Sequence, residues 1–182
     1  MRSMRSADAV VVVALLAAAA WGADEPGAKA AAERFYAVVL KARGGGVPAG
    51  ERLESFRPVV SAGLFAVLEQ ARDAEAEYAR RTHGDSPPLA EGDLFTSLFE
   101  GATRYRVAEC RAKPSAATCR VALAYSETGG GKPVEWTDTV ALVMESGGWR
   151  VSDVEYGGTW EFMHAGRLVG VLEGVVDASK GP

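Results

Sequence analysis

Asp138 and Asp153 are the residues whose sequence surroundings point most directly to chemistry. Asp138 lies in Trp136-Thr137-Asp138-Thr139-Val140, where strand alternation puts it on one face with Trp136 and Val140. A carboxylate drawn out of water onto an apolar face holds its proton to higher pH, which suits a general acid or base. Two other readings are open for it: a bulge at 137–139, or a solvated end of that face. Asp153 alternates with Trp149 and Val151, and the same reasoning applies. If their strands are neighbours, the two carboxylates could approach each other. Tyr105 and Tyr125 could bring hydroxyls to the same cavity, although a core tyrosine with one satisfied hydroxyl serves packing alone.

Other chemistries find little support. His83 sits in a Pro-rich loop and His164 beside Met163, neither with further ligands at metal spacing, so no metal is expected. Neither Gly-x-Ser-x-Gly nor a cysteine–histidine pair marks a nucleophile. The glycine runs at 44–46 and 129–131 lack the lysine, spacing and following helix of a phosphate cradle, so no cofactor is expected. Cys110 and Cys119 are the only cysteines and lack the Cys-x-x-Cys spacing of a redox pair. In an exported chain they read as a disulfide stapling a hairpin near its turn. Asp93 and Glu100 flank a segment carrying Phe95 and Phe99, which is either a sticky surface turn or core.

The elements that must position these residues follow from periodicity. Apolar residues recur at helical spacing over 28–43, ending at the glycine run. A short helical turn falls near 51–56. A second long helix begins at Ser61, an N-cap by type, and extends to about Arg81 with a charged outer face. From Thr103 the period becomes two, predicting four strands joined by turns: an antiparallel meander. A helical stripe over 160–176 closes the chain. Its Gly166, Gly170 and Gly174, spaced four apart, read as close packing against the sheet or as a weak helix, with packing favoured. Helices followed by a curved antiparallel sheet make an α+β fold, residues 23–182 forming one domain.

The N-terminus adds a location. Arg2 and Arg5 precede an apolar run from Ala9 to Ala20, and Ala20-Trp21-Gly22 offers a cleavage site, so residues 1–22 read as a signal peptide. The run is short of the ~20 residues needed to span a bilayer. A periplasmic or secreted protein without stable membrane insertion is expected. The formal net charge of −4 argues against a nucleic-acid partner, which requires a concentrated basic patch.

Three stretches carry a resemblance: Ala32-Glu33-Arg34-Phe35-Tyr36-Ala37, Arg57-Pro58-Val59-Val60-Ser61-Ala62-Gly63-Leu64, and Gly147-Gly148-Trp149-Arg150-Val151-Ser152-Asp153-Val154-Glu155-Tyr156-Gly157. In these the chain resembles the cone-shaped fold named after nuclear transport factor two, and in particular a group of exported bacterial proteins to which no function is assigned. The resemblance implies a concave pocket between helices and sheet but no particular activity, because that fold hosts isomerases, dehydratases and binding modules alike. The expectation is a non-catalytic domain binding a small ligand or an envelope protein in that pocket. The alternative is an acid–base enzyme with Asp138 or Asp153 as base and Tyr105 or Tyr125 as donor. A small antagonist of an envelope enzyme fits the stapled size, with no residue to mark it.

Overall fold

The computed structural model describes residues 24–83, 85–87, 89, 91–160 and 165–180. The signal segment and His164 lie outside them. The order is α1 (Glu25–Lys41), α2 (Gly50–Phe56), α3 (Ala62–Arg81), β1 (Arg104–Ala112), β2 (Ala116–Tyr125), β3 (Val134–Glu145), β4 (Gly148–Glu155) and α4 (Leu168–Ser179). The strands form one antiparallel meander in the order β1-β2-β3-β4, so the α+β reading holds.

Local chemistry sets the helix starts. Ser61 caps α3 by accepting from the Leu64 N–H at 3.1 Å, as its residue type predicts. Helix α1 begins three residues earlier than its apolar stripe suggests. Asp24 accepts from Gly27 N at 2.9 Å, and Pro26 suits a first turn whose N–H groups have no helical partner. The other oxygen of Asp24 accepts from the Trp149 indole at 3.1 Å, tying that cap to β4. The face that α1 buries is Ala28, Ala31, Ala32, Phe35, Tyr36 and Val39. Its alanines let the helix lie close to the sheet, and its rings fill the space beyond them.

Two bulges shape the sheet. In β1 the register slips between Val107 and Cys110, so Ala108 and Glu109 oppose a single partner and Cys110 stays on the buried face opposite Cys119. The two cysteines are disulfide-bonded, as expected. In β4 the slip falls between the partners of Ala141 and Leu142, where Ser152 is the extra residue. Val151 pairs with buried Leu142 and Val154 with buried Val140, so both face the helices. Asp153, paired with Ala141, is turned to the other face. The expectation that Asp153 shares a face with Trp149 and Val151 is corrected by this one inserted residue.

The helix-facing side of the sheet is filled. Phe56 stacks on Phe95 with centroids 4.4 Å apart, Phe35 meets Phe95 edge-on at 5.8 Å, and Tyr36 stacks on Tyr105 at 5.6 Å. The outer edge of β4 is covered twice, by the chain at Val59–Ser61 (Ser61 N to Val151 O, 2.8 Å) and near Gly166 (Tyr156 N to Gly166 O, 3.1 Å). The glycine stripe of α4 does not pack on the sheet as its spacing suggests. Gly170 and Gly174 are exposed, and a Cβ at either would meet nothing within 4 Å. No helix among the described residues is long and apolar enough to cross a membrane.

Candidate functional site

The segment between α3 and β1 builds the site. Asp93 N donates to Phe99 O at 2.8 Å and Gly101 N to Leu98 O at 2.9 Å, closing a compact loop. Leu94, Phe95, Thr96 and Ser97 are buried inside it, whereas Phe99 remains 49% exposed at its rim. Phe95 is therefore core and Phe99 surface, dividing the two readings of this segment between its two rings. The 44–46 glycines lie against it, backbone on backbone. Gly46 N donates to Gly92 O at 2.8 Å, and a Cβ on Gly45 would stand 2.9 Å from Gly92 N. A Cβ on Gly92, whose φ is +82°, would come within 2.5 Å of the Phe99 ring. These glycines serve close approach.

Between the C-terminal end of α1, Arg52 of α2, this loop and Tyr125 lies a cleft of about 310 Å³. Phe95, Phe99 and Tyr125 supply aromatic wall, and Arg43, Arg52, Asp93 and Glu100 supply charge. Asp93 accepts from the Thr96 hydroxyl at 2.6 Å and from the backbone N–H groups of Phe95 and Thr96. Burial pushes its pKa up to about 6, against the pull of those hydrogen bonds and of the Arg52 charge. The Arg52 guanidinium donates to Gly45 O at 2.7 Å and Gly46 O at 2.9 Å, while its buried Nε has no partner among the described residues. Burial lowers the Arg52 pKa, and Asp93 acts in the opposite direction.

Behind the cleft Asp138 is fully buried, as strand alternation suggests, and it accepts from four donors. Oδ1 takes the Ser97 hydroxyl, in a short contact, and Gly157 N at 2.9 Å; Oδ2 takes Ser97 N at 3.0 Å and Trp136 Nε1 at 3.1 Å. Ser97 Oγ itself accepts from Gly158 N at 3.0 Å, which leaves its proton for Asp138. A Cβ on Gly157 would lie 2.0 Å from Thr137 O, so the chain crosses β3 at contact distance. One carboxylate thus joins β3, the 93–99 loop and the strand exit at 157–158. Beside it the Tyr36 hydroxyl is buried without a hydrogen-bond partner among the described residues, its pKa raised by burial and then by Asp138, Asp93 and Tyr156. Tyr156 donates to Leu94 O at 2.6 Å, and burial, then Asp93, raise its pKa too.

The remaining candidates are dispersed. Asp153 pairs with Arg167 (Nε to Oδ2, 2.8 Å) and accepts from Val169 N at 3.1 Å, so it caps α4 from outside, where Arg167 offers no side-chain cap. Asp153 and Asp138 point to opposite faces and do not form a pair. The Tyr105 hydroxyl donates to Glu33 O at 3.1 Å, whereas Tyr125 lines the cleft, so the two tyrosines serve different places. Among the described residues no group of acidic, histidine or cysteine side chains could hold a metal. Sequence reasoning missed Asp93 and Arg52 as site residues. The local signal is weak: Asp93 three residues before Thr96, behind a glycine, is the pattern of a side chain folded back on its own turn.

The fold and site define an α+β domain with helices on one face of a four-stranded antiparallel sheet, compatible with the nuclear-transport-factor-two-like cone. No protein-family model, curated protein or solved structure matches the chain.

Proposed function

We propose that this is an exported, non-catalytic binding domain of the nuclear-transport-factor-two-like type, whose small-molecule site is the cleft at Asp93 and Arg52. The carrying observation is the composition of that cleft. Three aromatic rings share the lining with two carboxylates, Asp93 and Glu100, and two guanidiniums, Arg43 and Arg52, a mixture of apolar wall and a few convergent polar groups that small-ligand sites share. Export is supported by the signal-like composition of residues 1–22 and by the disulfide. Asp138 in this reading is scaffold, because its four donors occupy both oxygens and it does not line the cleft.

The test is backbone NMR shift mapping of a small-molecule fragment library on the mature, oxidised protein. Hits that move Gly45, Gly92, Asp93, Phe99 and Thr103 together, and weaken at least fivefold in Phe99→Ala, support the site. A library that yields no hit there, or hits clustered elsewhere, sinks it.

One observation favours a second reading, acid–base catalysis in the same cleft. Asp93 lines the cavity, and burial pushes its pKa up to about 6, into the range a general base uses. Asp93, rather than Asp138 or Asp153, would then carry the proton. A fragment-sized carbon acid exchanging its proton for deuterium in wild type but not in Asp93→Asn would favour this enzyme.

A further inference from the structure

The two edges of the sheet are treated differently. The edge of β4 is covered by two chain segments, whereas β1 pairs with β2 alone, and no backbone hydrogen bond from another element reaches it among the described residues. On the face away from the helices, this open edge adjoins a groove of about 510 Å³. Its floor is Ala122 and Ala124, its far side Glu135 and Thr137, and its near side Arg104 and Arg106. Both arginines are exposed, and among the described residues neither has an ion pair or side-chain hydrogen bond. Arg120, opposite the bulge, is likewise exposed and without an ion pair among the described residues. Of the acids around this edge, Glu109 is tied to Arg111 at 3.1 Å, Glu135 lies two strands away from Arg104, and Glu33 is on α1, its carbonyl accepting from the Tyr105 hydroxyl. On a chain of net charge −4 this is a local excess of positive charge.

Strand geometry specifies what such an edge takes. Arg104 and Arg106 are alternate residues, so they project on one face about 7 Å apart. A strand added beside them would place its own residues i and i+2 on that face, each opposite one guanidinium. The edge offers backbone donors and acceptors that a peptide can use and a saccharide or polyphosphate cannot pair in register. The register slip after Val107 ends regular pairing, so the paired stretch is short, from Arg104 to Val107.

We propose that the β1 edge from Arg104 to Val107 receives an extended acidic peptide of a partner protein as a fifth strand, with carboxylates at alternate positions against Arg104 and Arg106. This surface is separate from the Asp93 cleft and does not depend on it.

The experiment is fluorescence anisotropy on the mature, oxidised protein with labelled dodecapeptides. One alternates Glu with Thr or Val; a second replaces each Glu by Gln; a third keeps the Glu residues but is N-methylated on the backbone nitrogens facing β1. The expected result is binding of the first peptide, at least tenfold weaker binding of the other two, and at least tenfold loss in the double variant Arg104→Glu/Arg106→Glu. The surface control Arg80→Glu should bind as wild type does. Raising salt from about 0.05 to about 0.5 M should weaken binding severalfold. Equal affinity for the N-methylated peptide would overturn the strand-pairing proposal and leave a non-specific anion surface. Unchanged binding in the double variant would overturn it too. So would absence of binding by all three peptides, the outcome if the arginines and bulge only guard the edge against aggregation.

Discussion

Removing the Asp138 carboxylate tests most severely how the site is held. Asp138→Ala leaves the Ser97 hydroxyl, Ser97 N, Trp136 Nε1 and Gly157 N without their acceptor at a fully buried position. Each buried polar group left unpaired costs about 1–3 kcal/mol, and a water entering the vacated space would restore part of that. The expected loss is therefore about 3–5 kcal/mol, near the upper limit for a single substitution. For a domain of this size that lowers Tm by roughly 6–20 °C. Urea denaturation of the mature, oxidised protein measures it directly. Asp138→Asn keeps one acceptor oxygen and should lose about half as much. Because the Ser97 hydroxyl donates to Asp138, the double variant with Ser97→Ala should fall short of additivity by about 1–2 kcal/mol. A loss under about 1 kcal/mol for Asp138→Ala would refute the reasoning, since it would mean that the carboxylate is solvated.

Three further outcomes follow from other parts of the molecule. Cys110→Ala/Cys119→Ala should lower stability by about 2–3 kcal/mol through loss of the short covalent loop, and added reductant should bring the wild type to the same level. Gly170→Ala and Gly174→Ala should each raise stability by about 0.5–1 kcal/mol in thermal melts, because both lie in an exposed helix face with room for a methyl group; destabilisation would show that this face is packed. The Asp93 pKa is raised on folding, so its favourable contribution is complete below about pH 4 and lost as pH rises through about 6. Asp93→Asn should therefore gain on wild type between those values, by up to about 3 kcal/mol, when denaturation midpoints are compared across pH.

Much of the fold is legible in the sequence because its signals are local. Ser61 caps α3 at the position its type suggests, and the change of period after Thr103 marks the meander and the inward alternation of Trp136, Asp138 and Val140. What escapes depends on single insertions or on distant partners. Ser152 is an ordinary residue within an alternating run, yet as the extra residue of a bulge it turns Asp153 away from the core and separates it from Asp138. That Ser97 and Gly157 hold Asp138 is invisible in the sequence, since those residues lie 41 and 19 positions away and nothing local couples them. The 44–46 glycines read as a helix stop, whereas the need for glycine at 45 comes from backbone contact with Gly92, where a Cβ would stand 2.9 Å from Gly92 N. Asp93 goes unrecognised as a site residue for the same reason: its burial is created by α1 and α2, far from it in the chain.

The proposed site depends on a cleft closed enough to desolvate Asp93 while leaving it reachable. The most direct measurement is the carboxyl-carbon NMR titration of Asp93 in the mature, oxidised protein, wild type beside Phe99→Ala. The predicted midpoint is near 6 in the wild type, falling toward the ordinary carboxylate range in Phe99→Ala, which opens the cleft rim to water. A wild-type midpoint near the ordinary aspartate value of about 4 would contradict this. Water would then fill the cleft, and both the binding and the acid–base readings would lose their site.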